Sequence, residues 1–292
     1  MAVRAGKGGL GIGEAARKHG SANVPDVSGT KLLEYHVRRG ANLSCGTTKQ
    51  LLPPPDLFDS SREGPTIVST IQSEASPPVS RTLSTVEFLI GAAIVIGHNV
   101  FHVVPNEVPI LFVLGLISAR LRNGGWSALG LKRPASWARI VQIALAAAAL
   151  RILLGKFVVD PLTGHFWPPA IAPQGIDEIT GNIQVALLTL LLVWTFAAFG
   201  EEIAYRGYLL TRAAESGGGS QAAYWCAMVV VSVLFGYGHY YKGASGIFDS
   251  AVAGLILGTA YLLAGRNLWA SILAHGFIDT YAVVVVYLGW QS

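Results

Sequence analysis

The chain has 292 residues, of which 52% are hydrophobic and only 13% are charged, about half the charged share of an ordinary soluble domain. The mean hydropathy is +0.48. The apolar excess lies in the last two-thirds of the chain, in blocks of about 20 residues, which is the length of a helix that spans a bilayer. This composition excludes a soluble globular enzyme. The unbroken apolar runs also exclude a β-barrel, whose strands alternate polar and apolar residues.

The net charge of +4 does not indicate a nucleic-acid partner. In a membrane protein, an excess of Lys and Arg usually holds loops on the cytosolic side of the bilayer. The two cysteines, Cys45 and Cys226, lie far apart. They form neither a CxxC motif nor a disulfide framework, so we expect no cysteine chemistry.

Residues 1–80 contain no long apolar run, and 16 of them are charged. Their glycine run at 6–13 lacks the Gly-Lys-Ser/Thr ending of a phosphate-binding loop. No apolar segment follows the basic start, so a secretory signal is not indicated. We predict that residues 1–80 form a disordered cytosolic extension and that residues 85–290 form the membrane domain.

Seven apolar blocks follow the extension and predict an all-α fold, a polytopic transmembrane helical bundle of about six to seven spans. The second block is short and begins near Pro109, so it could form a kinked hairpin with the first. The blocks are residues 86–104, 108–120, 139–159, 183–212, 222–241, 247–265 and 267–289.

Basic residues in the short loops predict the orientation of the bundle. Residues 120–139 carry five Lys or Arg, whereas residues 160–181 carry three acidic residues and no Lys or Arg. The positive-inside rule therefore places the first loop and the amino terminus in the cytosol. We expect an integral protein of the plasma (inner) membrane.

Three further features of the blocks carry structural expectations. Gly254 and Gly258 form a GxxxG pair, which predicts close packing between helices. Trp194 lies in the middle of its block, and we expect it to pack in the core. Arg151 lies inside the third block, where a charge is costly, and the sequence identifies no partner for it.

The densest cluster of charge inside a block is Gly200-Glu201-Glu202-Ile203-Ala204-Tyr205-Arg206. Glu202 and Arg206 are four positions apart, so they share a helical face and can form an ion pair. Glu201 lies about 100° around the helix and lacks that partner. An unpaired buried carboxylate can serve as a general base or a metal ligand. The alternative is a structural ion-pair network.

Two later motifs contain histidine. Phe235-Gly236-Tyr237-Gly238-His239 lies near the end of the fifth block, and His275-Gly276-Phe277-Ile278-Asp279 lies in the last one. His275 and Asp279 are four apart, and a histidine oriented by a carboxylate is typical of metal and acid–base sites. Taken singly, His239 could be a hydrogen-bonded core residue, and the His275–Asp279 pair could fasten two helices.

EExxxR, FxxxH and HxxxN/D, in this order on successive membrane helices, resemble the CPBP (Abi) family of intramembrane proteases, which includes the type II CAAX prenyl endopeptidases. The resemblance covers roughly residues 85–290 and implies a helical bundle with a polar cavity open to the cytosolic side. It implies a membrane endopeptidase that cleaves protein or peptide substrates, with prenylated proteins as one substrate class.

The resemblance also implies roles for individual residues. Glu201 and His239 match the residues that activate water in the family, and His275 and Asp279 match those that stabilise the oxyanion. The CAAX enzymes usually have Asn at the position of Asp279, so we expect Asp279 to be protonated or to act by orienting His275. The candidate catalytic residues are Glu201, Glu202, His239, His275 and Asp279, with Arg206 and Phe235 as structural support.

Several alternatives stay open at this point. Glu201, His239 and His275 could bind zinc with a fourth position open for water, or the same residues could work without metal. His98 and His102, also four apart, could bind a metal with Glu107 or carry protons, although polar packing is the simpler interpretation. A different class of function is a non-proteolytic membrane scaffold or a bacteriocin-immunity or regulatory protein with this fold; a transporter is a third.

Overall fold

The computed structural model describes residues 80–122, 124–168 and 175–290. Apart from Ser80, the extension predicted over residues 1–80 lies outside the described residues, so its disorder stays a prediction.

Within the described residues, seven long helices follow one another and no strand occurs, as the seven apolar blocks predict. A single helical turn at Gly125–Ala128 and a 3-10 turn at Ile176–Ile179 lie between them. The long helices are α1 (Arg81–Asn99), α2 (Glu107–Leu121), α3 (Trp137–Phe166), α4 (Ile183–Ser216), α5 (Gln221–Tyr237), α6 (Tyr240–Leu263) and α7 (Leu268–Tyr287).

Five of these helices in the described part of the chain, α1, α3, α4, α6 and α7, are long and apolar enough to cross a membrane, and α5 is apolar but shorter. The protein is therefore an integral membrane protein. The 15-residue α2 follows α1 after a short connection, as the predicted hairpin requires.

Hydrogen bonds from the chain itself define where most of the helices begin. In each case the side-chain oxygen of a Ser or Asn accepts a backbone N–H of the first turn, which otherwise lacks a partner. These capping residues are Ser80, Asn106, Ser136, Asn182, Ser220 and Asn267.

Small residues bring α5 and α6 together. A Cβ atom on Gly254 would lie 3.0 Å from Ser232, and one on Gly258 would meet the side chain of Met228. Only glycine allows two helices to approach this closely. The packing role predicted for the GxxxG pair is confirmed.

The second half of α4 forms the centre of the bundle. Every residue from 202 to 212 is buried, and α1, α2, α5 and α7 pack around this segment. The hydrogen bonding of α4 is of the π type over Val193–Glu201 and Ile203–Leu209. Such widened turns are frequent at functional sites, and here they flank Glu202.

A set of paired charges, which we call the helix-end cluster, joins α1, α2 and α4. Its members are Glu87, Arg122, Arg212 and Glu215. Arg122 lies 3.1 Å from Glu87 and 3.3 Å from Glu215, and Arg212 lies 2.8 Å from Glu215. Each carboxylate faces two arginines, since Arg212 also lies 3.7 Å from Glu87.

The structure provides a partner for Arg151. Its guanidinium lies 2.5 Å from the carboxylate of Asp249 and joins α3 to α6. Trp194 packs against α7, where its ring N–H donates to Thr280 over 3.1 Å. The core position predicted for Trp194 is confirmed.

Candidate active site

Glu202 is the centre of a buried charge cluster between helices. Its Oε1 accepts a hydrogen bond of 2.8 Å from Arg206 and lies 2.9 Å from Nδ1 of His275. Arg206 also donates to the carbonyl of Gly254 over 3.2 Å. Glu202 is 0% exposed and Arg206 is 1% exposed. The predicted pair is confirmed, and it links α4 to α6 and α7.

Phe235 packs among the side chains of all three motifs. The guanidinium of Arg206 lies 4.5 Å from the centre of its ring. The rings of Tyr205 and His239 each lie 4.9 Å from it in edge-on contacts, and the ring of His275 lies 6.3 Å away. This central position agrees with the supporting role predicted for Phe235.

Oε2 is buried without a hydrogen-bond partner in both Glu201 and Glu202. The two residues differ because Oε1 of Glu202 is bound by Arg206 and His275, whereas Glu201 has no ion-pair partner among the described residues. Glu201 lines a cavity of about 220 Å³ together with His239. A cavity of this size has room for several water molecules. The structure therefore places the unpaired carboxylate of the first motif and the histidine of the second motif against the same small space.

His239 follows the end of α5, in the turn that leads into α6. Its Nδ1 lies 3.0 Å from the carbonyl oxygen of Phe235. Because a carbonyl oxygen can only accept, Nδ1 carries the proton of this bond. In the neutral ring, Nε2 then has a free lone pair that can accept a proton or bind a metal.

Glu107, at the start of α2, lines the same cavity as Glu201. It is only 5% exposed. Its Oε1 accepts a hydrogen bond of 3.3 Å from the hydroxyl of Tyr205, and its Oε2 lies 3.4 Å from Nε2 of His98. The α1–α2 pair therefore contributes a buried carboxylate, Glu107, to the cavity that Glu201 and His239 line.

Gly238 makes this arrangement possible. A Cβ atom at position 238 would lie 2.6 Å from the hydroxyl of Tyr205 and 3.6 Å from Oε1 of Glu107. Any side chain here would displace the tyrosine, so the glycine before His239 allows the backbone to approach.

His98 and His102, although four positions apart, do not share a helical face. α1 ends at Asn99, and His102 is exposed in the following turn with a φ of 55°. Nδ1 of His98 lies 2.9 Å from the carbonyl of Val104. Of these two histidines, only His98 lines the cavity.

Asp279 lies beside His275 rather than in the cavity. Its Oδ2 is 3.5 Å from Nε2 of His275, and its side chain is 28% exposed. This distance is too long for a strong hydrogen bond, so Nε2 is not held as firmly as Nδ1. The arrangement fits a residue that orients the histidine.

A metal site requires at least three ligand side chains that converge on one point. In the part of the chain that the structure describes, no group of three or more His, Cys, Asp or Glu side chains is placed where it could hold a metal ion. Glu201 and His239 retain free atoms for a ligand, but Nδ1 of His275 is occupied by Glu202. The three residues of the predicted zinc set are not assembled as a metal site among the described residues, and zinc binding stays a prediction.

The comparison with protein families identifies the domain that carries these motifs. Residues 183–281 match the family of the type II CAAX prenyl endopeptidase Rce1-like proteins. This segment is therefore similar to the protease domain of the CPBP family, which supports the resemblance that the three motifs indicate. The match spans about a third of the chain and contains Glu201, Glu202, His239, His275 and Asp279. Comparisons with curated proteins and with solved structures gave no match.

The candidate active site includes residues that the motifs alone do not single out. Tyr205 lies four positions after Glu201 and so on the same side of the helix, a spacing that could have indicated it. Glu107 stands at the start of an apolar block, where a carboxylate is a functional candidate. Nothing in the local sequence links Glu107 to Tyr205, which lies 98 positions away.

Proposed function

We propose that the protein is a membrane endopeptidase that hydrolyses peptide bonds near the membrane with water activated by Glu201 and His239. One observation carries the proposal. Glu201, which has an unpartnered carboxylate oxygen, and His239, which has a fixed tautomer, line the same small cavity, and both lie in the segment that matches the CAAX endopeptidase family. A base and an acceptor on one water molecule are what hydrolysis without a covalent intermediate requires.

In the proposed reaction, Nε2 of His239 accepts a hydrogen bond from water and Glu201 removes one of its protons. The water oxygen forms a bond to the carbonyl carbon of the substrate, and the carbon–nitrogen bond then breaks. The proton passes from Glu201 to the departing amine, so the carboxylate is regenerated. Both protons of the water are accounted for in the two products.

His275 is the proposed donor to the negative oxygen that develops on the substrate. Its Nδ1 is held by Glu202 over 2.9 Å, which fixes the ring. Its Nε2 faces Asp279 at 3.5 Å, loosely enough to be shared with an oxyanion. Asp279 then acts as a positioning residue, as expected for an ionisable side chain where the CAAX enzymes usually have Asn.

The family suggests prenylated proteins with a carboxyl-terminal CAAX sequence as substrates. We propose this class, with the plasma membrane as location and the amino terminus in the cytosol. The orientation rests on the basic loop at residues 120–139. In this orientation a cytosolic, lipid-modified chain end could reach the bundle from the membrane surface.

The test uses the full chain in proteoliposomes with a farnesylated CAAX peptide and the same peptide without its lipid. Mass spectrometry measures the released carboxyl-terminal fragment for the wild type, Glu201→Gln and His239→Ala. Glu178→Gln, an exposed residue of the 3-10 turn, is the matched control. Cleavage by the wild type and the control alone supports the proposal. Equal cleavage by Glu201→Gln contradicts it and favours the scaffold.

Substrate class is decided by the same experiment. Cleavage of the farnesylated peptide alone supports a prenylated substrate, whereas equal cleavage of both peptides shows that the lipid is not recognised. Comparative membrane proteomics of cells with the wild type or Glu201→Gln identifies substrates that neither peptide represents. Activity before and after treatment with a chelator tests the predicted role of zinc.

A further inference from the structure

A second cavity, of about 500 Å³, lies away from the active site between the segment before α3 and the turn between α6 and α7. We call it the basic groove. It is lined by three basic residues together with small and apolar ones and contains no acidic residue. The residues that define it are Lys132, Arg133, Arg139, Leu262, Leu263 and Asn267.

Hydrogen bonds between its two walls hold the basic groove in shape. Lys132 donates to the carbonyl of Gly265 over 3.1 Å, and Asn267 donates to the carbonyl of Lys132 over 3.1 Å. The backbone N–H of Leu268 donates to the carbonyl of Gly130 over 3.0 Å. These bonds join distant parts of the chain, so the groove is a fixed feature rather than a gap between loops.

Arg133 and Arg139 are exposed at this groove. Among the described residues, neither forms an ion pair with a carboxylate, whereas Arg122, Arg151 and Arg212 all do. Two guanidinium groups and one ammonium group thus face a space without a counter-charge. Guanidinium groups bind phosphate through two parallel hydrogen bonds.

The surroundings of the basic groove indicate that it lies at the membrane interface. The rings of Trp137 and Trp269 are 5.8 Å apart beside it, and tryptophans are enriched at the level of the lipid headgroups. Leu263, which lines the groove, is 55% exposed and continues onto the apolar surface of α6. The groove therefore combines a cationic end with an apolar wall.

We propose that the basic groove binds an anionic phospholipid, with the phosphate at Arg133 and Arg139 and an acyl chain along Leu262 and Leu263. Charge complementarity and the apolar wall support this ligand. Basic pockets between membrane helices recognise anionic headgroups by the same combination. A free phosphate ion shares the chemistry of the headgroup but has no acyl chain that could contact the apolar wall.

The test measures binding to the purified full chain in a neutral detergent. Short-chain phosphatidylglycerol, phosphatidylcholine of the same chain length and inorganic phosphate are titrated separately, and the melting temperature and the dissociation constant are recorded. We expect saturable binding and a raised melting temperature with phosphatidylglycerol alone. An equal effect of phosphatidylcholine overturns the role of the charges. An equal effect of inorganic phosphate shows that a free anion is the ligand and overturns the proposal that a phospholipid binds the groove.

The double variant Arg133→Gln/Arg139→Gln locates the site. We expect it to weaken phosphatidylglycerol binding about 30-fold, or about fivefold for each removed charge near the membrane surface. Arg120→Gln, at the exposed end of α2 and outside the groove, is the matched control and should bind as the wild type does. Equal loss in both variants contradicts the proposal, because the effect would then be one of overall charge.

Arg139→Gln alone provides a second measurement if the double variant is poorly folded. It should weaken binding about fivefold and leave the melting temperature without lipid unchanged. Unchanged affinity in this variant overturns the assignment of Arg139. Because the readouts are binding and melting, the result does not depend on whether the protein hydrolyses peptides.

Discussion

Two groups of buried charge in this protein are built differently. In the helix-end cluster, both Glu87 and Glu215 lie close to Arg122 and Arg212. In the candidate active site, Arg206 and His275 both bind Glu202. The adjacent Glu201 has no ion-pair partner among the described residues and lines a cavity. The difference separates charges that hold helices together from a charge that is available for chemistry.

The cost of burial explains why this difference is informative. A carboxylate inside a membrane bundle is expensive unless an opposite charge and hydrogen bonds compensate for it. The carboxylates of the helix-end cluster and Glu202 each have an arginine as an ion-pair partner. Glu201 has no ion-pair partner among the described residues, and its Oε2 accepts no hydrogen bond. Groups of this kind are concentrated in functional sites, which favours Glu201 as the base.

Glu201→Gln gives the largest expected effect on activity. The substitution keeps the size of the side chain but removes the proton acceptor, so cleavage should fall at least about 100-fold. The melting temperature in detergent should stay within error of the wild type because no ion pair is lost. A cleavage assay and a thermal melt on the same preparation check this. Full activity of the Glu201→Gln variant would contradict a role as the base and would make Glu201 a structural charge.

Arg206→Ala should act on stability first. It leaves Glu202 and His275 as buried polar groups without the guanidinium, and breaking such a pair costs about 3–5 kcal/mol. Folded yield and melting temperature should both fall, and activity should fall with them. Arg206→Lys keeps the charge and should lose less stability. A variant Arg206→Ala that is stable but inactive would assign Arg206 to the chemistry instead.

Glu215→Gln tests whether the helix-end cluster is purely structural. Removing this charge leaves Arg122 and Arg212 with only Glu87 as a carboxylate neighbour. Because the helix-end cluster is partly exposed, we expect the free energy of unfolding to fall by about 1–2 kcal/mol. The specific activity of the folded protein should not change. Glu178→Gln, exposed and away from the cluster, is the control. Lost activity at full stability would contradict a purely structural helix-end cluster.

The sequence predicts those features that depend on neighbouring residues. The apolar blocks locate the long helices because length and hydropathy are local properties. The spacing of four positions predicts the Glu202–Arg206 pair for the same reason. The spacing of four between His98 and His102 does not bring the two side chains together, because α1 ends at Asn99, between them.

Contacts between distant helices could not be predicted in this way. Glu202 and His275 are 73 positions apart, and Arg151 and Asp249 are 98 apart. Each contact depends on which helices pack together and on the rotation of each helix about its axis. Small residues such as Gly254 and Gly258 indicate that a close contact exists, but they do not identify the helix that makes it.

Gly238→Ala gives the smallest expected effect and tests whether Glu107 belongs to the structural charges or to the catalytic ones. The added methyl group would lie 2.6 Å from the hydroxyl of Tyr205, so the tyrosine must move and its 3.3 Å hydrogen bond to Glu107 is lost. One such bond is worth about 1 kcal/mol, so cleavage should fall about fivefold if Glu107 shapes the cavity around Glu201.

Adding Tyr205→Phe to Gly238→Ala removes the clashing hydroxyl. The double variant should therefore melt at a higher temperature than Gly238→Ala, while its cleavage rate should match that of Tyr205→Phe alone. Full activity in Tyr205→Phe would show that the Glu107–Tyr205 contact is structural and that the catalytic part of the cavity ends at Glu201 and His239.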